Sequence, residues 1–181
     1  NKSFGVTVRG ISPSYEKNIS KIIDSSNDND LIAGKSGMLI GSGLAIRLGV
    51  SVGDYVALLT PANSSGNSYL QPNISQFIIS SIFEAGINEY DNSLALIHIE
   101  QAQKTFSMDD KVTGIRLKFD DLFSAKRITS EIVSSLGVDR YYGVDWTVQK
   151  SNFIKALNLE KQMIAIVLSL IIAVAAFNIV S

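Results

Sequence analysis

Apolar and polar residues alternate in short blocks over the first part of the chain, and the blocks predict strands and helices joined by polar turns. The opening FGVTVRGI alternates and is rich in β-branched residues, which predicts a strand ending near Gly10. In YEKNISKIIDSSNDND, Ile19, Ile22 and Ile23 recur at helical spacing before a polar loop. The stretch GMLIGSGLAIRLGVSVGDYVALLT predicts a strand, a helix stopped by Gly49 and another strand, over residues 38–40, 42–48 and 54–60.

The second part of the chain continues in the same way. FIISSIFEAG and SLALIHI read as strands separated by an acidic turn, INEYDN, and EQAQKTFSM reads as a short helix. VTGIRLKF alternates like a strand, and RYYGVDW resembles a final one. Between them, DLFSAKRITSEIVSSL predicts a helix with one apolar side, formed by Leu122, Ile128, Ile132, Val133 and Leu136. Strands interleaved with helices in this order predict an α+β fold.

The chain ends in an apolar run that contains no charged residue from 163 to 180. As a helix this run spans roughly 27 Å, close to the roughly 30 Å of a bilayer's hydrocarbon core. The alternative is a helix buried in a soluble domain, but such helices rarely stay apolar on every face over five turns. The preceding VQKSNFIKALNLEKQ also has helical spacing, so we expect one helix to continue from the soluble part into a membrane span.

The composition excludes several classes of function but does not identify one. Sixteen basic and seventeen acidic residues give a net charge of −1, so a nucleic-acid partner is not expected. The chain has no Cys, which excludes disulfides and thiolate chemistry. The N-terminal NKSFGVTVRG has neither an initiator Met nor a signal-like pattern, so we expect a fragment of a longer chain, cut at both ends.

Residues that suggest catalysis are present only in incomplete patterns. GKSGMLIGSG lacks the first glycine of a phosphate-binding loop, and GSGLAI lacks the third glycine of a dinucleotide site. His98 has no second His or Cys, so we interpret it as a structural histidine. Glu84, Glu89 and Asp91 lie in turn-like sequence and are expected to be solvated. The sequence therefore predicts no enzyme, no cofactor and no metal site.

A polar loop, PANSSGNSYLQPNISQ, covers residues 61–76 and differs from the other loops in having an apolar tip. Tyr69, Leu70, Pro72 and Ile74 would present apolar side chains on an exposed loop or a long hairpin, where they are candidates for a partner contact. The alternative is that the tip folds back onto its own domain.

Four stretches carry a resemblance to a known family: GLAIRLGVSVGD, NEYDNSLALIHIEQAQKTF, VTGIRLKFDD and LEKQMIAIVLSLIIAVAAFNIVS. They resemble the LolC/LolE membrane subunits of the bacterial lipoprotein-releasing ABC transporter, along essentially the whole chain. The MacB and FtsX type of subunit is more loosely similar. The resemblance implies a subunit that releases outer-membrane-directed lipoproteins from the inner membrane and passes them to a periplasmic chaperone. The alternative function is a MacB/FtsX-type mechanotransmission or efflux permease.

The resemblance also implies an architecture and partners. A MacB-like two-lobed periplasmic domain would cover residues 1–156, with a base lobe at 1–10 and 111–156 and an inserted β-rich lobe at 11–110. A helix at 157–181 would enter the inner membrane, with the second transmembrane span from about residue 163. The expected partners are a LolD-type cytoplasmic ATPase that hydrolyses ATP, a sister or identical membrane subunit, a LolA-type chaperone, lipoprotein substrates and the lipid bilayer.

Two sets of site residues follow from the resemblance. A chaperone-binding hook would comprise Tyr69, Leu70, Gln71, Pro72, Asn73 and Ile74, because Pro72 and Phe77 reproduce the Pro-to-Phe spacing of docking members. Docking members have basic or amide side chains where this chain has Ala57, Leu70, Ile74 and Ser75, so docking would rest on apolar contacts or belong to a sister subunit. In the span, Met163, Ile164, Val167 and Ile171 would contact lipoprotein acyl chains, with ordinary helix packing as the alternative.

Overall fold

The computed structural model describes residues 2–20, 22, 31–61, 72–137 and 139–180. The chain divides into two compact units, Asn1–Leu117 and Lys118–Ser181. The first unit is built on a mixed five-stranded sheet with the spatial order β1-β5-β2-β4-β3. The strands are β1 Thr7–Ile11, β2 Gly37–Gly41, β3 Tyr55–Thr60, β4 Asn73–Phe83 and β5 Leu94–His98. All five strands were predicted from the sequence, and the mixed helix and sheet content confirms the broad fold class.

Parallel and antiparallel pairings are combined in this sheet. β1 pairs with β5 and β2 with β4 in parallel, whereas β2 pairs with β5 and β3 with β4 in antiparallel fashion. All five residues of β2 are buried. A strand covered on both faces reads as a continuous apolar run, which is why GMLIG shows no alternation in the sequence.

The described residues of the first unit form four α-helices: α1 Pro13–Ile19, α2 Ser42–Leu48, α3 Asn88–Ser93 and α4 Ile99–Thr105. The predicted bounds of α2 are confirmed, and Gly49 ends it with a φ of 75°, a left-handed conformation that favours glycine. The prediction that Ile22 continues α1 is wrong. Ser20 is extended, with φ −132° and ψ 141°, and ends the helix after Ile19.

The two faces of the sheet pack into separate apolar clusters. One cluster lies under α2 and α4 and contains buried residues from three strands and both helices: Met38, Ile40, Leu44, Ala45, Phe77, Ile79, Ala95, Ile97 and Ala102. The other cluster contains Ile11, Leu31, Leu39, Phe83, Leu94 and Leu96. Successive side chains of β2 point to opposite faces of the sheet, so Met38 and Ile40 belong to the first cluster and Leu39 to the second. The central strand β2 therefore contributes to the apolar core on both faces.

The segment INEYDN is not an acidic turn, as predicted, but the short helix α3. Its Asp91 is buried rather than solvated, and the Asp91 Oδ1 accepts a hydrogen bond of 2.6 Å from the Ala85 N–H. The backbone of α3 lies so close to Gly41 that a Cβ on Gly41 would be 2.7 Å from the Asp91 Cα. Asp91 therefore holds the chain that enters α3, which is a structural role for this carboxylate.

The second unit is helical. After a 3-10 turn at Leu122–Ser124 come α5 Ala125–Leu136, α6 Trp146–Gln149 and α7 Ser151–Val180. The predicted amphipathic helix is confirmed as α5, with Ile128, Ile132 and Val133 partly buried. Two residues of its predicted apolar side are wrong, because Leu136 is 58% exposed and Leu122 lies before the helix and is 62% exposed. The Trp146 Nε1–H donates a 2.8 Å hydrogen bond to the Leu122 carbonyl, which ties the start of α6 to the turn that precedes α5.

Two predicted strands, VTGIRLKF and RYYGVDW, are wrong. Residues 112–119 and 140–145 are described without strand pairing, and residue 146 begins α6. An alternating sequence forms a strand only where a neighbouring strand supplies hydrogen-bond partners, and none of the described residues does so here. The apolar side chains of these segments stay exposed, with Ile115 at 85% and Tyr142 at 88%.

Candidate docking hairpin and membrane helix

Strands β3 and β4 form a hairpin that extends beyond the rest of the sheet. β3 pairs with residues 73–78 of β4, from Thr60 opposite Asn73 to Tyr55 opposite Ile78. β2 pairs with β4 only from Ile78 onwards. Among the described residues, the first half of β4 therefore pairs with β3 alone. This part of the hairpin, residues 55–60 and 73–77, is called the ribbon below.

One face of the ribbon is apolar and exposed. Residues opposite each other in an antiparallel pair project to the same face, so Leu59 lies beside Ile74 and Ala57 beside Gln76. Tyr55 is 72% exposed, Leu59 59% and Ile74 66%. The other face carries Val56, Leu58 and Phe77, which pack on the core under α2 and α4. The ribbon is therefore fixed by one face and free to meet a partner with the other.

The predicted hook residues fall partly inside this ribbon. Tyr69, Leu70 and Gln71 lie outside the described residues. Pro72 is exposed and immediately precedes β4, while Asn73 and Ile74 are exposed positions within it. The predicted loop 61–76 is therefore too long at its end, because residues 73–76 belong to a strand. β-branched Ile74 and the pairing with β3 favour the extended conformation there.

The Pro-to-Phe spacing of the hook has a structural meaning in this chain. Phe77 is only 2% exposed and belongs to the core cluster under α2 and α4. It is the first fully buried residue of β4, so it anchors the strand five residues after Pro72 rather than contributing to an exposed surface. Pro72 has no N–H to donate, which suits a position where a loop enters a strand.

Tyr55 and Leu59 were not identified as candidate surface residues from the sequence. The available signal was the composition of β3, YVALLT, in which both alternating sets of positions are apolar. A strand of that kind either is buried on both faces or leaves one apolar face open. In this chain the second case holds, because the burial pattern of β3 alternates between exposed and partly buried residues.

Helix α7 carries the second group of predicted site residues. It runs without interruption over thirty residues, about 45 Å at 1.5 Å per residue, and is long and apolar enough to cross a bilayer. Its continuity confirms the prediction that the helix before residue 163 runs on into the apolar run. The Ser169 hydroxyl donates a 2.8 Å hydrogen bond to the Ala165 carbonyl, which satisfies that hydroxyl inside the helix.

The predicted acyl-chain residues lie along α7 at helical spacing. Ile164, Val167 and Ile171 follow at intervals of three and four residues and share one face, with Met163 beside them. Their exposed fractions lie between 53% and 60%. The helix thus offers an apolar face at this depth.

Polar side chains at the starts of α4 and α6 have structural roles. The Nδ1 of His98 accepts a 3.3 Å hydrogen bond from the Glu100 N–H and caps α4, which confirms the interpretation as a structural histidine. At α6 the Thr147 hydroxyl donates a hydrogen bond to the Asp145 carboxylate and lowers the pKa of that carboxyl below its usual value. Among the described residues, no group of three potential metal ligands is found.

No family model matches the chain, but curated proteins do. The chain is 38% identical over 180 residues to the lipoprotein-releasing system transmembrane protein LolC of Neisseria meningitidis, covering 98% of this chain and 43% of that protein. LolC of Xylella fastidiosa strain Temecula1 is 37% identical, over 96% of this chain and 42% of the relative. LolE of Haemophilus influenzae is 29% identical, over 97% and 42%.

These matches cover the ribbon and α7 together, since they include nearly the whole chain. The chain spans less than half the length of the curated relatives it matches. The relatives' names agree with the lipoprotein-release interpretation and not with the MacB/FtsX alternative. Over nearly its whole length the chain is therefore homologous to the lipoprotein-releasing system transmembrane proteins LolC and LolE.

Proposed function

We propose that this chain is part of a transmembrane subunit of an ABC transporter, which releases lipoproteins from the inner membrane and passes them to a periplasmic chaperone. The observation that carries the proposal is the 38% identity to a LolC protein over 98% of the chain. The exposed ribbon and the continuous α7 are the two features that such a subunit needs, one for a soluble partner and one for the bilayer.

The proposed arrangement places residues 1–156 in the periplasm as a MacB-like domain, with base lobe 1–10 and 111–156 and inserted lobe 11–110. The helix 157–181 enters the inner membrane, and the span begins near residue 163. A LolD-type ATPase in the cytoplasm hydrolyses ATP, and a sister or identical subunit completes the membrane part. Support comes from the similarity to LolC over nearly the whole chain and from the charge-free sequence of 163–180.

The chaperone is proposed to dock on the hook, Tyr69 to Ile74, and on the exposed face of the ribbon. Tyr55, Leu59 and Ile74 offer apolar area that is open to solvent in the chain alone. Burying one such side chain completely stabilises a complex by about 1.5–3 kcal/mol. Apolar contact on this rigid ribbon thus replaces the basic or amide contacts expected of docking members, since ordering of the strand adds little further cost.

Lipoprotein acyl chains are proposed to lie against Met163, Ile164, Val167 and Ile171. These side chains form an apolar face at one level of α7, and the flexible Met side chain adapts to chains of different shape. Because α7 is one helix from Ser151 to Val180, a movement within the bilayer is carried to residues above it without a break. This continuity supports a subunit that couples membrane events to release.

Photo-crosslinking tests the docking surface. A crosslinker at position 74 is expected to capture a LolA-type chaperone, whereas one at Ile46, an equally apolar residue of α2 that is 80% exposed, is not. Ile74→Ala should weaken chaperone binding by roughly 10- to 100-fold, and Ile46→Ala should leave it unchanged. Pro72→Ala and a deletion of residues 64–74 should also reduce capture.

Depletion in cells tests the function itself. Lipoproteins retained in the inner membrane are the expected result. A division or drug-susceptibility defect with normal lipoprotein sorting contradicts the proposal and favours the MacB/FtsX alternative. Capture of the chaperone from position 46 but not from position 74 contradicts the proposed docking surface. It does not affect the proposal of lipoprotein release, which the depletion experiment tests separately.

A further inference from the structure

A cleft of about 320 Å³ opens beside β4, where the ribbon leaves the sheet. Its walls come from β4, from the residue before β2 and from α4. Polar side chains make up most of its lining: Ser36, Ser75, Gln76, Gln101, Lys104 and Thr105. The Gln101 Nε2–H donates a 3.1 Å hydrogen bond to the Ser36 Oγ, which connects the α4 wall to the β2 wall.

The cleft contains an unpaired edge of β4. The Ile78 N–H donates to the Ser36 carbonyl at 2.9 Å, away from β3, and the Ile79 N–H donates to the Asp54 carbonyl at 2.9 Å on the opposite side. Main-chain groups of successive strand residues alternate in direction, so those of Gln76 point to the same side as those of Ile78. β2 pairs only from Ile78 onwards, and the Gln76 N–H and C=O therefore have no strand partner among the described residues.

The cleft also contains a cation. Lys104 lies in the last turn of α4, and the described residues that line the cleft include no carboxylate. Within the described part of the chain, Lys104 forms no ion pair with an Asp or Glu. Ser36, Ser75, Thr105 and Gln101 line the same cleft and carry hydroxyl and amide groups. A lysine among neutral donors favours a carboxylate as its ligand, because charge-assisted hydrogen bonds are the stronger ones.

We propose that this cleft binds an extended segment of a partner protein, which adds as a short strand along Gln76 and places an Asp or Glu side chain on Lys104. In strand addition, main-chain hydrogen bonds supply affinity and a side-chain pocket supplies specificity. The free edge and the cation share one cleft, which fits a peptide segment better than a small free anion. The inference rests on the proposed function for the partner's identity, namely the protein that docks on the hairpin.

The test uses the full chain in detergent and a fluorescent peptide as the probe. The peptide alternates Thr and Val around a central Glu, and its matched partner has Gln in that position. By fluorescence anisotropy at about 50 mM salt, the Glu peptide should bind roughly tenfold more tightly than the Gln peptide, and about 200 mM salt should reduce the difference. Lys104→Gln should remove the difference, whereas Lys2→Gln, the same charge change elsewhere, should not.

The main-chain part of the site has its own variant. Gln76→Pro removes the outward N–H of β4 and should weaken both peptides. If Gln76→Pro fails to fold, the comparison of the Glu and Gln peptides on Lys104→Gln alone tests the proposal. Equal binding of the two peptides, or a preference that survives Lys104→Gln, overturns the proposal, and complete displacement by excess acetate overturns the strand component. Because no chaperone is present, this outcome is separate from failed chaperone capture at position 74.

Discussion

Gly41→Ala should destabilise the sheet unit, because the backbone of α3 leaves no space for a side chain. A Cβ at Gly41 would lie 2.7 Å from both the Cα and the carbonyl carbon of Asp91. Gly41 has φ −67° and ψ 150°, which alanine adopts without strain, so only the steric contact counts. The obstacle is backbone, and α3 must move away by several tenths of an ångström.

The expected cost follows from two contributions. Overpacking of this kind costs about 1–3 kcal/mol. A shift of α3 also weakens the hydrogen bond between Asp91 Oδ1 and the Ala85 N–H, worth about 1 kcal/mol or somewhat more. The free energy required to open the sheet unit should therefore fall by about 3 kcal/mol. Each 1.4 kcal/mol changes an equilibrium constant tenfold, so the open form of the sheet unit should become roughly 100-fold more populated.

Two other glycines provide a graded comparison. A Cβ at Gly43 would meet mainly the Asn92 side chain, which can rotate away, and alanine gains about 1 kcal/mol over glycine inside a helix. Gly43→Ala should therefore have a net effect near zero. At Gly114 nothing lies within 4 Å of an added Cβ, so Gly114→Ala serves as the unperturbed control.

Native-state hydrogen exchange by mass spectrometry, on the full chain in detergent, measures these differences. The informative amides are those of β2 and β5, which lie at the centre of the sheet. Exchange there should accelerate by roughly two orders of magnitude in Gly41→Ala and stay near the control in Gly43→Ala. Exchange in Gly41→Ala that matches Gly114→Ala would refute the close approach of α3.

Two further predictions concern charged groups outside the membrane helix. Arg116→Ala removes the partner of the buried Glu16 carboxylate and should destabilise α1 by about 1–3 kcal/mol, below the value for a fully buried pair because Arg116 is 41% exposed. Hydrogen exchange of α1 measures this loss, and Glu16→Gln in the same chain should recover part of it. The pKa of Asp145 is lower in the folded chain than its usual value of 3.8. The ionised carboxylate therefore stabilises the start of α6 fully above pH 3.8, and this stabilisation is lost as the pH falls through the lower pKa of the folded chain. An NMR titration of the Thr147 amide should show a midpoint below 3.8, and Asp145→Asn should abolish the titration.

Sequence patterns predicted the sheet unit well where local signals and tertiary structure agree. Helix α2 was predicted with its observed bounds, because apolar spacing and the stop at Gly49 coincide with real packing on the core. The continuity of α7 was predictable for a similar reason. Residues 151–180 contain neither Gly nor Pro, so no helix breaker interrupts them.

The wrong predictions concern segments whose structure depends on contacts with distant parts of the chain rather than on local sequence. VTGIRLKF has the alternation of a strand, but alternation says only which face each side chain takes, not whether a partner strand exists. INEYDN has the composition of a turn, yet it forms α3 because its backbone packs on Gly41 and its Asp91 accepts a hydrogen bond from the partly buried Ala85 N–H. Neither the missing partner nor the close packing is visible within a short window of sequence.

The candidate docking site was predictable as a location but not as a surface. Proline, asparagine and serine marked the loop, and the resemblance marked the hook, but the exposed face of β3 needed the register with β4. That register explains why the ribbon can expose an apolar face and still be held in place. Phe77 and Ile79 hold β4 in the core while Ile74 and Leu59 face outwards, so the residues that fix the ribbon are distinct from those offered to a partner. A change in the exposed set should alter binding with little effect on folding, and a change in the buried set should alter both.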